Sequence, residues 1–172
     1  MRFQVTPEAE SLDHAAVTRL VSTSRLGAEL SSEQWGALAA LVKVRRVAPG
    51  EYLIEEGDND DSVHVVLKGA FDVVKSAGPG DPVSLAVLRH GDVAGEMSFI
   101  DGMRHETGLR AIAESEVLSL ERADFERLIA KDPDLVYKVM RTVVRAAHDL
   151  MHRMNVQYIE LSNYIFKQHG RY

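Results

Sequence analysis

Between residues 42 and 121 the chain breaks into seven short β-rich runs, 43–47, 52–55, 63–68, 71–75, 84–88, 109–113 and 117–120, all but the last two divided by corners that carry glycine. The corners read Pro49-Gly50, Gly57-Asp58, Gly69, Gly78-Pro79-Gly80-Asp81 and Gly91-Asp92. Glycine tolerates the positive φ that tight turns demand, and proline presets the bend. Short strands at this spacing point to an antiparallel sandwich or roll.

Helical patterns flank this stretch. Ala15, Ala16, Leu20 and Val21 recur at helical spacing, and Ser31 followed three residues later by Gln34 has the form of a capping box opening a helix through Trp35, Leu38 and Leu41. Residues 1–41 therefore read as an N-terminal helical segment. Helix returns after Glu121 with Phe125, Leu128 and Ile129, and Asp132-Pro133-Asp134 then supplies a cap, a proline for the first helical position and an acid for the first turn.

No proline or glycine follows until Gly170, so one helix of about 50 Å is expected from Pro133 to about Gln168. Its apolar positions alternate at four and three: Val136, Met140, Val143, Ala147, Leu150, Met154, then Gln157, Leu161 and Tyr164. A seam of this period favours a left-handed crossing with another helix, so residues 122–172 are expected to join two copies of the chain as a homodimer. The alternative is that the seam packs on the roll of its own chain.

The length of 172 residues suits one domain with helical ends. No apolar run approaches the roughly 18 residues that cross a bilayer, and the opening Met1-Arg2-Phe3-Gln4-Val5-Thr6-Pro7-Glu8 has no leader-like apolar core. With no cysteine, the expectation is a cytoplasmic protein without membrane contact. The net charge of −6 opposes general binding to phosphate polymers. From Val136 onward, however, six cations (Lys138, Arg141, Arg145, Arg153, Lys167, Arg171) face two anions (Asp149, Glu160). That basic end suits either a larger acidic protein partner or plain solvation.

Four stretches, in order, resemble the cyclic-nucleotide-binding domains of the catabolite activator protein family, of cyclic-AMP-dependent kinase regulatory subunits and of some ion channels. They are Ala48-Pro49-Gly50-Glu51-Tyr52-Leu53-Ile54-Glu55-Glu56-Gly57-Asp58, Asp61-Ser62-Val63-His64-Val65-Val66-Leu67-Lys68-Gly69, Leu88-Arg89-His90-Gly91-Asp92-Val93-Ala94-Gly95-Glu96-Met97-Ser98-Phe99, and the closing run from Arg110-Ala111 to Asp124-Phe125. The resemblance implies an α+β fold: an antiparallel, jelly-roll type β-roll of about eight strands over residues 42–121, between N-terminal helices and a long C-terminal helix. It also implies a regulatory sensor of cyclic AMP or cyclic GMP, with no other cofactor.

A phosphate-cassette-like segment then spans residues 94–107. A glycine that lets backbone approach a ligand, followed by a short helix whose N–H groups point at an anion, makes a phosphate cradle. Gly95 and the amides of Met97, Ser98 and Phe99 suit that role, and the resemblance implies that Glu96 accepts from a ribose hydroxyl. In the family an arginine nine or ten residues after that glutamate meets the phosphate charge. Here those positions hold His105 and Glu106, with Arg104 one residue early and Thr107 just beyond. Two expectations stand side by side: Arg104 turns inward and an atypical site works, or the pocket has lost cyclic nucleotides and the domain serves as an interaction scaffold.

The sequence carries no G-x-S-x-G elbow, no P-loop and no H-E-x-x-H, so a non-enzymatic module is expected. His148 and His152 share a helical face, but no third ligand is placed beside them and no metal is expected. DNA binding is not expected, since little chain follows the long helix where a helix-turn-helix would stand.

Overall fold

The computed structural model describes residues 12–169. Residues 1–11, on which the absence of a leader was read, and Gly170, Arg171 and Tyr172 at the basic end lie outside the described residues. Helix α1 (His14–Thr23) starts at Asp13, whose carboxylate accepts from the Ala16 amide at 2.7 Å. A 3-10 turn, Arg25–Gly27, leads to α2 (Ser32–Ala39). The capping box forms there: Ser31 Oγ accepts from the Gln34 amide at 3.3 Å, and Gln34 Oε1 accepts from the Ser31 amide at 3.1 Å. Gln34 also donates through Nε2 to the Asp134 carboxylate at 3.0 Å, fastening the start of α2 to the start of the last helix.

Eight strands follow: β1 (Val42–Val47), β2 (Tyr52–Ile54), β3 (Ser62–Lys68), β4 (Ala70–Lys75), β5 (Val83–Arg89), β6 (Val93–Ala94), β7 (Gly108–Ala111) and β8 (Ser115–Glu121), with α3 (Glu96–Asp101) between β6 and β7. Helices α4 (Arg122–Glu126) and α5 (Pro133–His169) close the chain. The strands form two four-stranded sheets, β1-β8-β3-β6 and β2-β7-β4-β5, and every pairing is antiparallel. The expected roll is present; β6, only two residues long, is the strand that hydrophobic periodicity does not resolve.

Because side chains alternate across a strand, the first sheet serves two cores. Val47, Leu53, Ile54, Val66, Phe71, Leu88, Leu109 and Val117 fill the space between the sheets. On the other face, Val63, Val65, Leu118 and Leu120 pack against Leu38 of α2, Phe99 of α3, Phe125 of α4 and Leu135, Val139 and Val143 of α5. Leu135, Val139 and Val143 are fully buried, each contributing roughly 1.5–3 kcal/mol of hydrophobic stabilisation before entropy is counted.

Helix α5 is one unbroken element of 37 residues, starting at the expected proline, with the Asp132 carboxylate capping the Leu135 amide at 2.9 Å. Its seam divides. Val143 lies in the core of its own chain, Val136 and Met140 pack on that core, and Leu150 packs on the core between the sheets. These residues, with half-buried Ala147, belong to the covered half of the helix, as in the alternative in which the seam packs on the roll. From Met151 to Lys167 every residue is exposed except half-buried Ser162, and the seam positions Met154, Gln157, Leu161 and Tyr164 all lie in that exposed stretch.

The basic face of α5 is largely neutralised within the chain. Lys138 pairs with Asp134 at 2.6 Å, Arg141 and Arg145 both hold Glu29, and Arg153 holds Asp92 at 2.8 Å. The charge that the sequence offers to an acidic partner is thus mostly met by α5's own first turn and by loops of the same chain. Arg25 in addition pairs with Asp149. Among the described residues no helix is long and apolar enough to cross a membrane, and no cluster of potential metal ligands forms.

Candidate functional site

The cassette begins where β6 ends. Gly95 sits at φ +78°, and a methyl group there would lie 2.4 Å from the Ser62 carbonyl oxygen and 3.4 Å from the His64 ring, so both conformation and contact require glycine. The turn delivers Glu96 to the first position of α3 with only 9% of its surface exposed. Burial pushes the Glu96 carboxyl above its usual range, while its own amide and the nearby His105 pull the other way.

The cradle is narrower than expected. The Phe99 amide donates to the Gly95 carbonyl at 3.0 Å, and the Phe99 ring belongs to the helix-side core, 5.4 Å from the Phe125 ring. Phe99 therefore holds α3 to α4, and of the three amides expected to donate to a ligand its own is already engaged. The Met97 side chain is 60% exposed, and Ser98 is buried.

Arg104 does not turn inward. Its side chain is exposed and has no hydrogen bond or ion pair among the described residues. His105 turns in instead and cross-links two loops. Its Nε2 lies 2.6 Å from the Asp60 carbonyl oxygen, its Nδ1 3.3 Å from Ser98 Oγ, and its backbone bonds to Asp58 and Gly57 at 3.0 and 2.8 Å. A carbonyl oxygen only accepts, so Nε2 carries the proton and donates. Glu106 is exposed, its carbonyl accepting from Lys75 Nζ at 2.6 Å, and Thr107 is half-buried.

Behind Gly95 lies a group that motif reading missed. His64, fully buried on β3, faces its register partner Ser119 on β8, with Nδ1 2.8 Å from Ser119 Oγ. Asp60 Oδ2 lies 3.4 Å from His64 Nε2 and 3.9 Å from Arg45, yet Nε2 has no aligned hydrogen-bond partner. Burial pushes the His64 imidazole below its usual range, while the neighbouring Asp60 pulls the other way. Burial raises Asp60, but the close His64 ring and Ser62, whose amide donates to Oδ1 at 2.9 Å, outweigh this and hold the carboxylate well below its ordinary range. The available signal was a histidine flanked by Val63 and Val65, whose alternation places it on the face opposite theirs, shared with Val66 between the sheets. Ser119, His64 and Asp60 follow the chain of a hydrolase triad, but Ser119 is 5% exposed and His64 not at all, so no ester carbonyl can reach the serine.

A separate cleft of about 500 Å³ opens between β5 and Gln157 of α5, lined by Ser84, Leu85, Ala86, Val87 and Arg89, and shares no residue with the cassette. Leu150 and the Arg153–Asp92 pair hold α5 across the roll, and Asp92 stands in the turn just before β6 and the cassette.

A double antiparallel sheet interrupted by a glycine-led short helix, with a long helix laid across it, defines a ligand-binding β-roll. The family model of the cyclic nucleotide-binding domain matches residues 44–132, and the chain belongs to that family. A cyclic nucleotide-binding domain from Methylobacillus flagellatus superposes with a TM-score of 0.74 at 22% identity, covering 86% of this chain and 83% of that one. The regulatory subunit of a cAMP-independent protein kinase A from Trypanosoma cruzi, bound to guanosine, superposes with a TM-score of 0.67 at 19% identity, covering 87% of this chain and 51% of that one. In sequence, the neuropathy target esterase sws of Drosophila melanogaster is 28% identical over 130 residues, which is 72% of this chain but 9% of that protein.

Proposed function

We propose that this chain is a regulatory binding module, not an enzyme, whose roll takes a ribose-bearing nucleotide ligand at the cassette and passes its occupancy to α5. The observation that carries this is Glu96: a carboxylate about nine-tenths buried behind a left-handed glycine, to which no other residue donates a hydrogen bond among the described residues. A buried carboxylate served only by its own backbone amide keeps acceptor capacity that a ribose hydroxyl would use. Cyclic AMP and cyclic GMP are the ligands the family suggests, with Gly95, Met97 and Ser98 around the phosphate. Guanosine in a relative of the same fold supports a ribose-centred reading.

The path to α5 runs from Phe99 to Phe125 of α4, and from Asp92 to Arg153. A ligand that favours one placement of α3 would shift α5 by its differential affinity for the two placements. The distal helix then pairs with a second copy of the chain. Met151, Met154, Tyr158, Leu161 and Ile165 line one stripe at alternating spacings of three and four, and all are exposed. Such a stripe is expected to be covered.

A thermal-shift screen against cyclic AMP, cyclic GMP and cyclic dinucleotides tests the ligand reading. A ligand at 100 times its Kd should add about 2.7 kcal/mol, with the gain lost in Glu96→Gln. His105 at the position of the family's arginine favours a second reading, an interaction and dimerisation scaffold whose pocket binds no cyclic nucleotide, and a uniformly flat screen would point there. Light scattering at micromolar concentration should return twice the monomer mass.

A further inference from the structure

We infer that the cassette selects uncharged ribosides, nucleosides with a free 5′-hydroxyl, over cyclic nucleotide monophosphates; this rests on the reading of Glu96 as the ribose acceptor. A 3′,5′-cyclic phosphate carries a full negative charge that must be met where it is desolvated. No side chain at the cassette meets it. Arg104 is exposed on the outside of the loop. His105 has no N–H to offer: Nε2–H is engaged by the Asp60 carbonyl. Nδ1 either accepts from Ser98 while neutral or donates to Ser98 when protonated, so gaining a charge frees no donor.

The surrounding charge is negative. Glu96 lies buried at the head of α3, and the ionised Asp60 holds the opposite loop. Glu106 occupies the other position where a cation would serve. The nearest cation of the polar group behind the cassette, Arg45, faces the Asp60 carboxylate at 3.9 Å. The amides of Met97 and Ser98 remain as donors, and without a cation two neutral N–H groups suit a hydroxyl better than a phosphodiester. Losing a bidentate charged contact typically lowers affinity by two or three decades, which sets the expected preference.

The test is titration calorimetry on the full chain with adenosine, guanosine, cyclic AMP and cyclic GMP, and with 2′-deoxyadenosine and 2′-deoxyguanosine as controls. The expected result is that a nucleoside binds at least tenfold tighter than its own cyclic monophosphate and at least tenfold tighter than its 2′-deoxy form. The double variant His105→Arg/Glu106→Ala should then gain at least tenfold for the cyclic monophosphate. Wild-type protein binding a cyclic monophosphate as tightly as its nucleoside would overturn the inference and leave the proposed function standing. No binding of any of the six up to millimolar concentration would overturn both. The wild-type comparison decides the matter even if the double variant fails to fold.

Discussion

The two halves of α5 share one apolar rhythm and meet opposite fates. In the first half, up to Leu150, the stripe is covered by β3, β8 and the N-terminal helices, and its cations are tied to Glu29 and Asp134. In the second half the same kind of stripe stands open, with Tyr158 and Phe166 each more than 70% exposed. A helix of 37 residues is about 55 Å long, more than the roll can cover. Periodicity reports that a face must be buried; it does not report whether the burying surface belongs to the same chain.

Three changes probe this division, in order of expected effect. Leu135→Ala removes a fully buried side chain from the covered half and should cost about 2–5 kcal/mol, read as a lowered urea midpoint with unchanged slope. A loss under about 0.5 kcal/mol would mean that the covered half is not the anchor. Leu161→Asp places a charge on the open half and should convert the dimer to a monomer in light scattering, with the roll's own stability within about 0.5 kcal/mol of wild type. If dimer mass survives, the open stripe is not the interface. Arg153→Ala, at the boundary, breaks the pair with Asp92 and should change stability by only about 0–1 kcal/mol. Its sharper readout is ligand-induced change in α5 amide exchange, which should weaken if this pair links cassette to helix.

The β-roll was legible because its signals are local. Most corners carry glycine or proline, the strands are short β-rich runs, and the Ser31 box and the Asp132 cap could be read from adjacent residues. The two-residue strand β6 escaped because two residues carry no period. The cassette was legible in position and not in geometry: Gly95 and Glu96 stood out, while the inward turn of His105 depends on the Asp60 carbonyl 45 residues away in sequence.

Sequence alone determined where most turns fall, which faces must be buried and that Gly95 heads a cassette-like bend, because these follow from backbone sterics and side-chain spacing within a few residues. Tertiary structure alone decided which half of α5 its own roll covers, that the Phe99 ring packs in the core, and that Arg104 stays exposed while His105 turns in. Those outcomes turn on which distant groups compete for the same space, donor or charge, and that competition exists only once the sheets have closed.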